Sequence, residues 1–221
     1  MLKLYGFAVS NYFNMVKLAL LEKGLAFEEV TVYATQGEDF LAISPRGKVP
    51  VLETEQGFIN ETSAILDYLE EAGEGRPLLP EGAFARAQVR SLMKEIELYI
   101  ELPARLGYAE AFFAAPIPAA LKTRCREELL AGMATLRRHG RFAPYLAGEG
   151  FGLADIYFLY SIELACGVAK KLFDLDLLAD FPAALELLTR LKQNPHVQRI
   201  AAERDAAMPA FLAMIQAKAK G

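Results

Sequence analysis

Hydrophobic and polar positions change period repeatedly over the first third of the chain. Leu2 and Leu4 alternate with Lys3 and Tyr5, the two-residue period of a short strand. Tyr12 to Lys23 carries helical periodicity and meets Gly24, the residue type that most often ends a helix. Phe27 to Val32 is strand-like, and Glu38 to Ile43 predicts a short helix stopped by Ser44-Pro45. Val51 to Glu53 and Phe58-Ile59 flank Gly57 and predict a hairpin. Glu61 to Ala72 is again apolar-periodic and predicts a helix. A βαβ unit followed by a hairpin and a helix makes a compact α/β layer, assigned here to residues 1–75.

The pattern shifts at Gly73-Glu74-Gly75-Arg76-Pro77, which reads as a linker, and no convincing strand follows. Phe84 to Phe113 predicts one long helix bent near Pro103. Ala119 to His139 predicts another, closed by Gly140. Leu153 to Leu172 is apolar on all sides and predicts a buried central helix. Phe181 to Gln193, Pro195 to Arg204 and Pro209 to Lys218 complete an all-α segment assigned to residues 84–221.

Composition narrows the function classes. Of 221 residues 53% are apolar, enough for a sizeable core, and the net charge of -4 argues against a dedicated nucleic-acid surface. Apolar runs are interrupted before bilayer-spanning length, and the N-terminus lacks a signal-peptide core, so no membrane association is expected. Cys125 and Cys166 form no CxxC pair, which points to a reducing, cytoplasmic setting. With only His139 and His196 and no clustered cysteines, no metal site is expected.

Two segments carry candidate chemistry. In Lys48-Val49-Pro50-Val51-Leu52 a proline opens a strand, a position for a tight turn and a candidate cis bond. In Asn60-Glu61-Thr62-Ser63-Ala64-Ile65 an acid and a hydroxyl stand where a helix begins. Exposed backbone beside a helix N-terminus suits a small ligand with its own peptide backbone and a carboxylate. Ordinary helix capping, with Asn60 as N-cap and Glu61 in the first turn, accounts for the second segment equally well.

Motifs in the same order occur in the cytosolic glutathione transferases, which the sequence resembles over essentially its whole length. Leu4-Tyr5-Gly6, Ser10 and Val16-Lys17-Leu18-Ala19-Leu20 look like that family's first strand, active-site loop and first helix. Pro45 to Leu52 looks like its cis-proline segment. Glu61-Thr62-Ser63-Ala64-Ile65 with Tyr68-Leu69 looks like its glutamyl-binding helix, and Tyr145 to Gly148 with Leu153 to Ile156 like the start of its central helix. The resemblance implies a thioredoxin-like N-terminal domain and an all-helical C-terminal domain lining an electrophile pocket. It further implies glutathione as co-substrate, a serine-type cytoplasmic homodimer, and conjugation of small hydrophobic electrophiles in detoxification. A glutathione-dependent disulfide reductase or peroxidase, or a non-catalytic binding module, are the alternatives. The electrophile itself is not legible.

On that likeness Ser10 is the candidate thiol donor, with Asn11 and Tyr12 as rivals, because Asn11 stands where many members have Pro or Cys. A plain N-cap is the competing reading of Ser10. Tyr5 is offset by one residue from the tyrosine-type position, which falls on Gly6, so its side chain points to the other face. Val49 and Pro50 would pair with the cysteinyl backbone, Lys48 with the glycyl carboxylate, and Glu61 and Thr62 with the γ-glutamyl end. Tyr12 is counted with the glutathione-binding residues. Phe7, Phe13, Tyr108, Phe112 and Phe113 are candidates to meet the electrophile, or else core aromatics. Asp155, three residues after Gly152, reads as a capping residue.

Overall fold

The computed structural model describes the backbone of residues 1–220 and the side chains of residues 1–217. The chain forms two compact units. One comprises Met1–Leu78 and the chain from Lys192 onward; the other is Leu79–Leu191.

The first unit is a four-stranded mixed sheet with helices. The strands are β1 (Leu2–Gly6), β2 (Phe27–Thr31), β3 (Val51–Thr54) and β4 (Gly57–Asn60), in the order β2-β1-β3-β4. β1 and β2 run parallel through the crossover helix α1 (Asn11–Lys23), whereas β3 is antiparallel to both β1 and β4. Leu4 faces Leu52, which faces Ile59, so alternate apolar positions of the sheet fall on one side. Leu4 and Leu52 pack with Val16 and Leu20 of α1 and Ile65, Leu66 and Leu69 of α3 (Thr62–Glu71) in the buried core. α2 is a single turn, Glu38–Leu41. Gly24 closes α1 at φ 70, a left-handed conformation that glycine adopts without a Cβ penalty. The linker is pinned from beneath: buried Glu70 accepts Lys23 Nζ at 2.8 Å and the Leu78 N–H at 3.1 Å.

In the second unit, α4 (Ala83–Ile96), α5 (Leu102–Phe113), α6 (Ala119–His139), α7 (Leu153–Phe173) and α8 (Pro182–Lys192) form the bundle. α7 is buried on every face from Leu153 to Ile162, as its uninterrupted apolar sequence predicts. The long helix expected over 84–113 is interrupted by a π turn at Glu97–Glu101, upstream of Pro103. Pro103 has no N–H to offer the preceding turn, and the π turn lies directly before it, at the start of α5.

The last two helices expected from the sequence are one. α9 runs from Pro195 to Lys220 with Pro209 inside it, and it packs on α1 in the first unit. Its tie is ionic and buried: Lys17, only 2% exposed, lies 2.6 Å from Glu29 Oε1 and also pairs with Glu203 of α9.

Candidate active site

Ser10 lies in an extended conformation directly before α1 and is its N-cap, with Oγ accepting the Phe13 N–H at 3.4 Å. The cap occupies a lone pair and leaves the hydroxyl proton unused; no described residue accepts it. Capping and proton donation are therefore compatible on one oxygen. The loop before it is fixed by backbone and side chain together. The Ser10 N–H donates to the Phe7 carbonyl at 3.0 Å, and the amide of buried Asn14 donates to the Ala8 carbonyl at 2.8 Å.

Asn14 was not singled out from sequence, where it is one more polar residue in a helical run. Asn11, the first residue of α1, and Tyr12 are half-buried beside Ser10.

Phe13 is not available to an electrophile. It is 2% exposed, and a Cβ built on Gly6 would lie 2.3 Å from its ring. The side chain that Gly6 lacks leaves the space that Phe13 fills. Phe7 is half-buried against Tyr33 and Phe211, with ring centroids 4.9 and 5.4 Å away. Tyr33 and Phe211 carried no motif and could be found only by knowing that α9 returns to this loop.

Tyr5 hydrogen-bonds Glu53, and that bond raises its hydroxyl to about 12, with burial adding to the effect. A phenol so committed to a carboxylate is a poor thiolate donor, in line with the offset read from the sequence.

The Val49–Pro50 peptide is cis. Half-buried Val49 forms no backbone hydrogen bond to any described residue, leaving a donor and an acceptor at the head of β3. Lys48 is exposed, while its backbone N–H and C=O are both bonded to the Ser44 hydroxyl at 2.9 and 2.8 Å. Ser44 thus holds the segment from behind.

At α3 the expected cap is replaced by something less ordinary. Glu61, not Asn60, occupies the N-cap position, with φ 68 and ψ 122 and no side-chain cap bond. A non-glycine residue in that region is strained by about 1–3 kcal/mol, and such strain concentrates at ligand sites. The exposed Glu61 carboxylate stands beside the first turn, where Thr62 is 5% exposed and its hydroxyl has no partner among the described residues.

In the second unit, Tyr108, Phe112 and Phe113 cluster at the end of α5, with centroids 5.1 and 5.3 Å from Tyr108. Lys171 lies 4.3 Å from the Phe112 ring centroid, and Arg105 5.9 Å from that of Tyr108. Arg105 is held by Glu101 through Nε at 2.9 Å and Nη2 at 2.7 Å. Burial pushes the Tyr108 hydroxyl upward, so it stays a neutral donor at physiological pH. Cys125 is buried and its thiol is pushed up by burial, which overrides any effect of the flanking arginines. Asp155 is buried, accepting the Leu146 and Gly152 N–H groups at 2.8 and 2.9 Å: the capping role read from sequence, plus an anchor for the preceding loop.

An unclaimed hydroxyl at one helix start, unpaired backbone before a cis-proline and a strained acid at a second helix start all lie in the first unit. Residues 4–77 match the family model of the glutathione S-transferase N-terminal domain. The chain is 60% identical over 216 residues to a glutathione S-transferase of Pseudomonas putida, covering 98% of each. It belongs to the glutathione S-transferase family. It is a glutathione transferase, with glutathione as co-substrate.

Two solved structures are also similar. One is a glutathione S-transferase from Methylobacterium radiotolerans in complex with glutathione sulfonate. It has a TM-score of 0.74, is 26% identical, and the match covers 90% of this chain and 93% of that one. The other is a maleylacetoacetate isomerase from Methylobacterium extorquens with bound malonate and glutathione. It has a TM-score of 0.72, is 29% identical, and the match covers 91% and 97%.

Proposed function

We propose that this transferase joins the sulfur of glutathione to small hydrophobic electrophiles, a detoxification reaction, and that Ser10 keeps the sulfur ionised. The observation that carries this reading is the Ser10 hydroxyl, whose proton has no acceptor among the described residues although its oxygen caps α1. A free thiol of this kind has a pKa of about 8.5, so little thiolate exists at neutral pH. Lowering it by two units takes about 2.7 kcal/mol. One hydrogen bond to a charged group supplies about 1.5–3 kcal/mol, and the α1 N-terminus adds to it. The thiolate is the nucleophile; it bonds to the electrophilic carbon, and the leaving group or a proton balances the charge.

In this reading Val49 pairs with the cysteinyl backbone through its own N–H and C=O. The Thr62 hydroxyl and the α3 N-terminus hold the γ-glutamyl carboxylate, and Glu61 holds its ammonium. Lys48 reaches toward the glycyl carboxylate. Residues 1–75 bind glutathione, and the helices within 84–221, with Tyr108 and Phe112, meet the electrophile. Among the described residues no helix is long and apolar enough to cross a membrane. A cytoplasmic setting is part of the proposal.

A homodimer completes the proposal. Leu98, Tyr99, Leu102 and Leu130 are exposed on the second unit. Near them Tyr99, Gly132 and Thr135 line an open groove of about 330 Å³. An apolar surface of this kind is costly to leave in water. The test of the catalytic reading is conjugation of a generic aromatic electrophile by wild type, Ser10→Ala and Asn11→Ala. Loss confined to Ser10→Ala supports the assignment. Activity that survives in Ser10→Ala and falls in Asn11→Ala transfers the role to Asn11. Light scattering tests the dimer.

A further inference from the structure

The geometry points to Phe211, on the C-terminal helix, as a positioning residue for Ser10. The inference rests on the Ser10 reading above and concerns how that hydroxyl is kept in place.

α9 is fastened at three successive points within the first unit, two on α1 and one on the loop before it. Near its start, Asn194 Nδ2 donates to Glu22 Oε1 at 2.5 Å. One-third of the way along α9, Glu203 pairs with buried Lys17. Further on, Phe211 stacks on Phe7, with centroids 5.4 Å apart and planes at 22°. The partners 22, 17 and 7 fall in descending order as those on α9 ascend. The helix therefore runs back from the far end of α1 to the loop that carries Ser10.

The third contact differs from the other two. Phe211 is 8% exposed and lies nearly parallel to both Phe7 and Tyr33, the second at 6.3 Å and 19°. Phe7 and Tyr33 are themselves 4.9 Å apart, so three rings from three distant segments meet. Phe7 is also the residue whose carbonyl accepts the Ser10 N–H at 3.0 Å. A shift of the Phe7 ring is thus passed through one backbone bond to the residue bearing the hydroxyl. Asn14 holds the Ala8 carbonyl, between the two, through its side chain, and its N–H donates to the Ser10 carbonyl at 3.0 Å, which ties the carbonyl side of Ser10 while Phe7 ties its N–H.

Pro209 makes this contact decisive for the end of α9. Without an N–H it leaves a gap in the helical ladder two residues before Phe211, so side-chain packing must hold the segment beyond. Aromatic stacking is directional, which suits it to fixing a loop. Misplacement of a reacting group by about 1 Å can cost on the order of a hundredfold in rate.

The experiment is a pH titration of the ultraviolet thiolate absorbance of enzyme-bound glutathione, with glutathione affinity measured by calorimetry. The proteins are wild type, Phe211→Ala, Phe211→Tyr, Ser10→Ala and the double variant Ser10→Ala/Phe211→Ala. Phe211→Ala is expected to raise the apparent thiol pKa by about one unit, a tenfold loss of thiolate below it. Its glutathione affinity stays within about twofold, because Phe7 and Tyr33, on which Phe211 stacks, are not among the residues proposed to hold the tripeptide. Phe211→Tyr titrates like wild type. In the Ser10→Ala background Phe211→Ala adds no further shift, as expected of two residues acting through one hydroxyl.

A wild-type titration in Phe211→Ala, while Ser10→Ala is shifted, overturns the inference and leaves the Ser10 reading standing. So does an undiminished shift in the double variant. An unshifted Ser10→Ala overturns both. If Phe211→Ala does not fold, Phe211→Leu keeps the burial and removes the flat ring. A partial shift then supports the proposal, and a wild-type titration sinks it.

Discussion

The Ser10 hydroxyl accepts the Phe13 N–H at 3.4 Å, a long cap bond that holds the oxygen at the mouth of α1 without using its proton. The same residue can end a loop, start a helix and donate to an anion, because each task uses a different part of it. The cap is weak by its length, and the proposed donor role needs only the proton that the cap leaves unused.

Two different losses are therefore expected in Ser10→Ala. The conjugation rate at neutral pH falls by about 10- to 100-fold, the loss of one charge-assisted hydrogen bond. Stability falls by only about 0.5 kcal/mol, the low end for removal of an N-cap. Steady-state kinetics and urea unfolding on the same preparation separate the two. A large stability loss with unchanged kcat/KM would show the residue to be a cap alone.

Tyr5 provides the matching control. Its hydroxyl is bonded to Glu53 and pushed up to about 12, which makes it a poor donor to a thiolate. Tyr5→Phe is predicted to keep kcat/KM within about twofold of wild type across neutral pH, since no transition-state contact is removed. A fall comparable to that of Ser10→Ala would move the donor to β1.

Glu61 links strain to binding. Its φ of 68 is one that glycine adopts freely. Glu61→Gly relieves about 1–3 kcal/mol of backbone strain against about 1 kcal/mol of added unfolded-state entropy. The melting temperature is predicted to be equal to or above wild type, while KM for glutathione rises about tenfold through loss of the carboxylate proposed to meet the ammonium. Thermal melts and kinetics on one variant decide it. A lower melting temperature with unchanged KM would make Glu61 structural.

Much of this was legible in the sequence, and the exceptions share a cause. The strand, helix and linker positions follow from local periodicity and from Gly24, Gly57 and Pro50 as punctuation. Thr62 and Val49 stand where the segment motifs placed them. What failed was non-local. Phe13 was counted with the electrophile-facing residues, yet it fills the space above Gly6, a contact set by the turn between β1 and α1. Asn60 looked the better cap than Glu61, because strain depends on tertiary context rather than on side-chain preference. Pro209 suggested a break between two helices, but packing against α1 carries α9 through it. The π turn before Pro103 has no signature in residue type. Phe211 and Tyr33 meet Phe7 only after the last helix returns to the first unit.

Asp155 predicts a pH dependence of stability. Burial raises its carboxyl to about 6 from an ordinary 3.8, although the Leu146 and Gly152 N–H bonds oppose the rise. Between those values the folded chain holds the proton and the unfolded chain does not. Its contribution to stability is therefore full below about pH 4 and lost as pH rises through about 6, up to about 3 kcal/mol in all. In Asp155→Asn this slope disappears. The stability advantage of wild type over the variant is expected to shrink as pH goes from about 4 to about 7 in denaturant titrations. An advantage that grows over the same range contradicts a raised carboxyl.

The central claim, that a serine hydroxyl at the start of α1 keeps glutathione's sulfur negatively charged, is tested most directly by titrating the thiol of glutathione bound to wild type and to Ser10→Ala. The wild-type thiol should ionise about two units below the free value of about 8.5, and the variant's should return most of the way to it. Identical titrations in the two proteins, with glutathione bound equally well, contradict the claim.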